Sequence, residues 1–188
     1  MKVSIITATY NSSATIKDTI KSLESQTYQD IEYIIVDGAS SDNTLDIVRE
    51  HCSRVTHIIS EPDKGIYDAL NKGIGVATGD VIGFLHSDDV FAYPLVVEDI
   101  VRTFESSKSD AVYADLEYVS KDNINKVVRL WKSGEYERNM LTNGWMPPHP
   151  TFYMKREHYE KMVVLTLDLT SPPITTHCFV ISGRIESV

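Results

Sequence analysis

Two adjacent carboxylates, Asp88 and Asp89, follow the apolar run Val81-Ile82-Gly83-Phe84-Leu85 after a short His86-Ser87 step. Neighbouring carboxylates repel unless a cation or hydrogen-bond donors offset them, and oxygen ligands suit a divalent ion such as Mg²⁺ or Mn²⁺. An Asp-Asp turn that caps the helix near Pro94 is the competing reading of the dipeptide taken alone. Asp37 closes another apolar run, Ile31-Glu32-Tyr33-Ile34-Ile35-Val36. It is either a turn residue before Gly38 or an acceptor for a base N–H or a ribose hydroxyl. Asp63-Lys64-Gly65 sets an acid, a base and a permissive backbone side by side, with a salt-bridged turn as the rival. His149 lies between Pro148 and Pro150, where a neutral imidazole could reach a diphosphate, a sugar or the metal.

These residues share a site only if the chain alternates strands and helices. Val3 to Thr9 reads as a buried strand, and Tyr10-Asn11-Ser12-Ser13 supplies turn chemistry for a helix with Ile16, Ile20 and Leu23 on its inner face. Ile31 to Val36 is the second strand, a helix with Leu45, Ile47 and Val48 follows, and Val55 to Ser60 is the third strand. Ile66, Ala69, Leu70 and Ile74 mark the next helix, Val81 onward the next strand, and Pro94 to about Ser107 a further helix. Right-handed parallel crossovers are expected from this rhythm, with the acidic strand ends on one rim of a mostly parallel sheet. Ala111 to Tyr118 and Lys126 to Trp131 then read as antiparallel strands, a small addition to that sheet, and Met146 to Met154 as a loop feeding a short strand. A charged helix is expected near Arg156 to Lys161.

The 188 residues are 42% hydrophobic with a net charge of −9, which suits one globular domain and disfavours nucleic acid as the main partner. Cys52 and Cys178 have no metal-ligand spacing, and no long apolar run is present, so a cytoplasmic protein is expected, with peripheral association at the inner face of a membrane compatible with it. No GxSxG elbow and no GxxxxGK[ST] loop occurs, which argues against hydrolase and P-loop chemistry.

In order and spacing, VSIITATYN, IEYIIVDGASSDNT, EPDKGIYDALNKGIGVATGD and GFLHSDDVF resemble a family 2 glycosyltransferase of the α/β GT-A fold, in the bacterial branch that builds surface polysaccharides. The resemblance covers about residues 1–161. It implies inverting transfer from a nucleoside diphosphate-sugar, with UDP or GDP expected, to a saccharide or lipid-linked acceptor. It also implies Mg²⁺ or Mn²⁺ bridging the diphosphate. Thr7, Thr9 and Asn11 would line the base pocket, Asp37 would contact the base, and Asp63 and Lys64 would sit beside the nucleotide. Asp88 would be the metal ligand and Asp89 its neighbour. The family commonly carries Asp or Asn where this chain has His86.

Inversion needs a general base, which the family places in an ADYD-like segment after a GGFD-like turn. Residues 162–188 contain neither, and Pro172-Pro173 interrupts a stretch whose apolar residues follow no sustained period. Permissible codons for Met162 through Val180, read two nucleotides out, spell both motifs at natural spacing. A tail out of frame from near Met162 is therefore expected, with Asp168 a poor substitute for the base. Two rivals remain: a nucleotide-sugar-binding remnant without a base, and a nucleotidyltransferase, which would want a basic glycine-rich loop in place of ATYNSSA.

Overall fold

The computed structural model describes residues 1–120, 123–137, 139–161 and 177–187. Strands Val3–Thr9 (β1), Ile31–Asp37 (β2), Val55–Ser60 (β3) and Val81–Phe84 (β4) alternate with helices Ile16–Glu24 (α1), Thr44–His51 (α2) and Ile66–Val76 (α3). After β4 come strand Val90–Phe91 (β5), helix Val96–Ser107 (α4), strands Ala111–Ser120 (β6) and Asn123–Trp131 (β7), strand Tyr153–Lys155 (β8), helix Arg156–Lys161 (α5) and strand His177–Ser187 (β9).

Among the described residues nine strands join one sheet in the order β3-β2-β1-β4-β8-β6-β9-β5, with β7 added on β6. β3, β2, β1 and β4 pair in parallel, so their carboxyl ends share one edge. β8 turns antiparallel to β4 and β6, and β9 is antiparallel to β6 but parallel to β5. The antiparallel part is thus larger than the expected hairpin. Strand alternation sends Val3 and Ile5 to one face, where they meet Ile16, Ile20 and Leu23 of α1, Val48 of α2 and Val97, Ile100 and Phe104 of α4. Ile6, Ala8, Ile34 and Val36 face the other way, onto Ala69 and Leu70 of α3. Three α/β/α layers result. Among the described residues no helix is long and apolar enough to cross a membrane.

The strand ends opposite the acidic rim are pinned by one carboxylate. Glu32 accepts from Lys2 Nζ at 2.8 Å, Ser4 Oγ at 2.5 Å, Thr78 Oγ1 at 2.6 Å and Thr78 N–H at 2.7 Å, which ties β1, β2 and the approach to β4 together. Burial pulls its pKa up, but the hydrogen bonds from Lys2, Ser4 and Thr78 outweigh that and hold it at about 2. Where β4 meets β8, a Cβ on Gly83 would lie 2.0 Å from the ring of fully buried Tyr153, so only glycine admits that ring.

One expectation about the tail is corrected. Its last part does form an element: β9 runs for eleven residues between β6 and β5, and Ile185 packs against the main core. Pairing along β6 and β5 overrides a weak local pattern. Residues 162–176, including Asp168, lie outside the described residues.

Candidate active site

The parallel register brings Thr9 level with Asp37, and Asp37 level with Ser60. Asp37 is fully buried. Its Oδ2 accepts from Ser40 N–H at 3.0 Å and Ser60 Oγ at 2.8 Å, and its Oδ1 accepts from the Ser40 hydroxyl. Those three donors satisfy a buried charge and fix the loop after β2. A base N–H reaching Asp37 would therefore join a carboxylate already engaged in holding that loop.

Neighbouring loops are stitched to this one. Asn11 adopts φ 48, a left-handed conformation that asparagine tolerates, and donates its N–H to Ser40 Oγ at 2.8 Å. Its Oδ1 accepts from Ser41 N–H at 2.9 Å. A Cβ on Gly38 would meet Asp63 Oδ2 at 2.6 Å and Tyr10 Cδ2 at 3.3 Å, so the missing side chain lets both cover the loop. Asp63 Oδ1 also accepts from Gly65 N–H at 2.8 Å, just before α3. Lys64 is exposed beside it. Ser12 and Ser87 share a hydroxyl–hydroxyl bond of 2.9 Å, joining the loops after β1 and β4.

Beyond β4 the rim carries two imidazoles. His86 and His149 rings lie 5.3 Å apart, centroid to centroid. Thr151, in the turn that opens with His149, holds its place by donating to Ala114 O at 3.0 Å and accepting from Ala114 N–H at 3.1 Å. Burial, with a smaller effect of His149, pushes the pKa of His86 down to about 3, so this imidazole is neutral. Both of its nitrogens are buried without a hydrogen-bond partner among the described residues. Packing lowers the pKa of His149 as well, although that residue stays open to solvent. Asp89 is fully buried and its N–H donates to His86 O at 3.0 Å, whereas Asp88 is half-buried.

Among the described residues no three His, Cys, Asp or Glu side chains converge as a metal cage. Asp88, half-buried at the rim, offers carboxylate oxygens of the kind that Mg²⁺ and Mn²⁺ prefer. Thr7 departs from its expected role. It is fully buried, and its hydroxyl bonds Tyr33 Oη at 2.9 Å and Leu85 O at 2.5 Å, so it braces β1 against β2 and the end of β4 from within the core. Thr7 shares its face of β1 with Thr9 but lies two residues short of the strand's end, and that position keeps it within the core. Thr9 does stand at the rim, with its hydroxyl buried and unpartnered among the described residues. Sequence reasoning passed over Ser60, which holds Asp37, and Ser87. Neither carries a local signal, since each acts through a strand pairing or loop contact distant in sequence.

The known glycosyl transferase family 2 pattern matches residues 4–166. The chain belongs to this family. An uncharacterized glycosyltransferase of Nostoc sp. is 34% identical over 172 residues, covering 86% of this chain and 53% of that protein. The chain spans 38% to 53% of the length of the curated relatives it matches. Among solved structures, Staphylococcus aureus TarS residues 1–349 in complex with UDP-GlcNAc superposes with a TM-score of 0.67 at 18% identity, over 100% of this chain and 58% of that one. The Pyrobaculum calidifontis mannosyltransferase in complex with GDP-Man and Mn²⁺ gives 0.68 at 19% identity, over 95% and 56%. These likenesses establish the GT-A fold.

Proposed function

We propose that this chain transfers a sugar from a nucleoside diphosphate-sugar, UDP- or GDP-linked, to a saccharide or lipid-linked acceptor in surface polysaccharide synthesis, with inversion at the anomeric carbon. The observation that carries the reading is the unbroken rim: the loops after β1, β2, β3 and β4 touch one another at the carboxyl edge of the parallel strands, where open α/β sheets bind ligands. The nucleotide complexes of the S. aureus and P. calidifontis proteins, which share the fold, support it.

In this reading Thr9, Tyr10 and Asn11 form the base end, with Asp37 behind them. Exposed Lys64 supplies positive charge beside the diphosphate, and Asp63 sets the turn that carries it. Asp88 holds the divalent cation, which when bound offsets the charge of the departing diphosphate. Asp89 anchors the Asp88 loop from inside the core, and the neutral imidazoles of His86 and His149 face the sugar and diphosphate as hydrogen-bonding groups.

The acceptor's proton is the open step. We read residues 162–188 as an out-of-frame tail that does not supply the family's base, with the family's own sequence ending near residue 161, even though β9 of that tail joins the sheet. The second reading, a chain that binds donor without transferring sugar, follows from that tail. Calorimetry with UDP and GDP, with Mn²⁺ or EDTA, tests the donor site, and equal affinity with and without metal removes the metal role from Asp88. Nucleoside diphosphate release by this chain and by one with the frame restored near Met162 tests the tail. Equal turnover would refute the frame-loss reading.

A further inference from the structure

We infer that β7 is a membrane-docking edge whose partner is an anionic lipid surface. β6 has two edges. β9 pairs along one of them from Val112 to Ser120, so β8, which pairs at Ala111 and Val112, and β7, which pairs from Leu116 to Ser120, follow each other on the opposite edge. Gly83 of β4 and Val112 of β6 both pair with Tyr153 of β8. β6 runs in the direction of β4, which stops at Phe84, so its outer half carries β7 past the acidic rim by roughly 20 Å at about 3.3 Å per residue. The ribbon projects from the side of the sheet that bears the candidate site.

Its composition is unlike that of the rest of the surface. Ile124, Val127, Val128 and Leu130 are 43%, 49%, 55% and 47% exposed, although such side chains are usually withdrawn from water. Every residue from Asn123 to Leu130 is exposed, so β7 is open on both faces, whereas Leu116 and Val119 of its partner β6 are buried. In a chain of net charge −9, residues 123–134 contain Lys126, Arg129 and Lys132 and no acid. Arg129 lies 5.2 Å from the Tyr118 ring centroid, which lays its stem along the ribbon. The acids on β6 are set back: Asp115 accepts from Ser133 N–H at 2.8 Å, and Glu117 pairs opposite Leu130 and is half-buried, while Asp122 and Glu135 flank the stretch in the sequence.

Apolar side chains interleaved with cations match the boundary of an anionic bilayer, where hydrocarbon accepts the first and headgroups the second. A second copy fits less well. Antiparallel pairing of two β7 strands about their middle would set Lys126 of each close to Arg129 of the other, like charge against like. Docking by this edge would bring the carboxylate rim to the surface where a lipid-linked acceptor resides, yet the surface itself does not depend on the transferase reading.

The full chain is pelleted with phosphatidylcholine vesicles containing phosphatidylglycerol and with vesicles of phosphatidylcholine alone. Binding is expected to the first only and to fall with added salt. Lys126→Gln with Arg129→Gln should weaken it about 25-fold, taking about fivefold for each cation lost. Val128→Asp, at an exposed position and with an unchanged melting curve, should abolish it. UDP affinity in calorimetry should stay as in the parent chain for all variants. No pelleting with either vesicle overturns the inference, and so does equal pelleting with both. A concentration-dependent dimer in sedimentation that Val128→Asp dissolves would also overturn it, by assigning the edge to a second copy.

Discussion

Replacing His86 with leucine separates what the rim is built for from what the fold needs. The two side chains are close in volume, so the change leaves little cavity. In the parent protein both imidazole nitrogens are buried without partners among the described residues, and the ring is held neutral. A buried polar group left unsatisfied costs about 1–3 kcal/mol, and leucine removes that cost. For a chain of this size each kcal/mol moves the melting temperature by about 2–4 °C, so a gain near 2 kcal/mol raises it by about 4–8 °C. If a ligand hydroxyl or phosphate normally satisfies those nitrogens, the same substitution loses one net hydrogen bond, about tenfold in affinity. Scanning calorimetry without ligand and titration with UDP and Mn²⁺ read the two effects separately. A variant that melts lower and binds UDP as before would refute the reasoning, because His86 would then be an ordinary packing residue.

Asp88→Asn should reduce metal-dependent UDP binding much more than Asp89→Asn, while Asp89→Asn lowers the melting temperature more because only Asp89 is fully buried; comparable binding losses would mean the wrong carboxylate is assigned to the metal. The Glu32 carboxyl is held at about 2, against 4.5 when free, so its stabilisation is complete above pH 4.5 and is lost as the pH falls through about 2. Glu32→Gln should cost about 3 kcal/mol at pH 7 and flatten the acid side of a melting-temperature profile, and parallel profiles would contradict the assignment. Gly83→Ala drives a Cβ into the Tyr153 ring and should cost about 3 kcal/mol in urea unfolding, a midpoint equal to the parent's being incompatible with that contact.

The parallel half of the fold was readable because strands buried on both faces leave apolar runs, and because Ile16, Ile20 and Leu23 repeat at helical spacing. Strand–helix alternation then puts Asp37, Asp63 and Asp88 on one edge without further information. What stayed hidden depends on pairing across long sequence distances. Thr7 looks like Thr9 in sequence, yet its hydroxyl is spent inside the core. Ser60 becomes important only when β3 pairs with β2 in a register that levels it with Asp37. His86 read as a departure from a motif, and its burial against His149 follows from a turn more than sixty residues later. β9 eluded the pattern because its place is set by the two strands it joins.

That placement bears on how the protein is made. β5 and β6 are consecutive strands in the chain, but β9 separates them in the sheet. As the polypeptide leaves the ribosome, β1 to β4 and their helices can assemble from contacts near in sequence. β6 can take β7 as soon as the ribbon turns back, but its other edge waits for a strand synthesised much later. Until then the nascent chain presents one long unpaired edge next to a two-residue one. Such an edge invites chaperones, or misassembly between neighbouring chains on the same message.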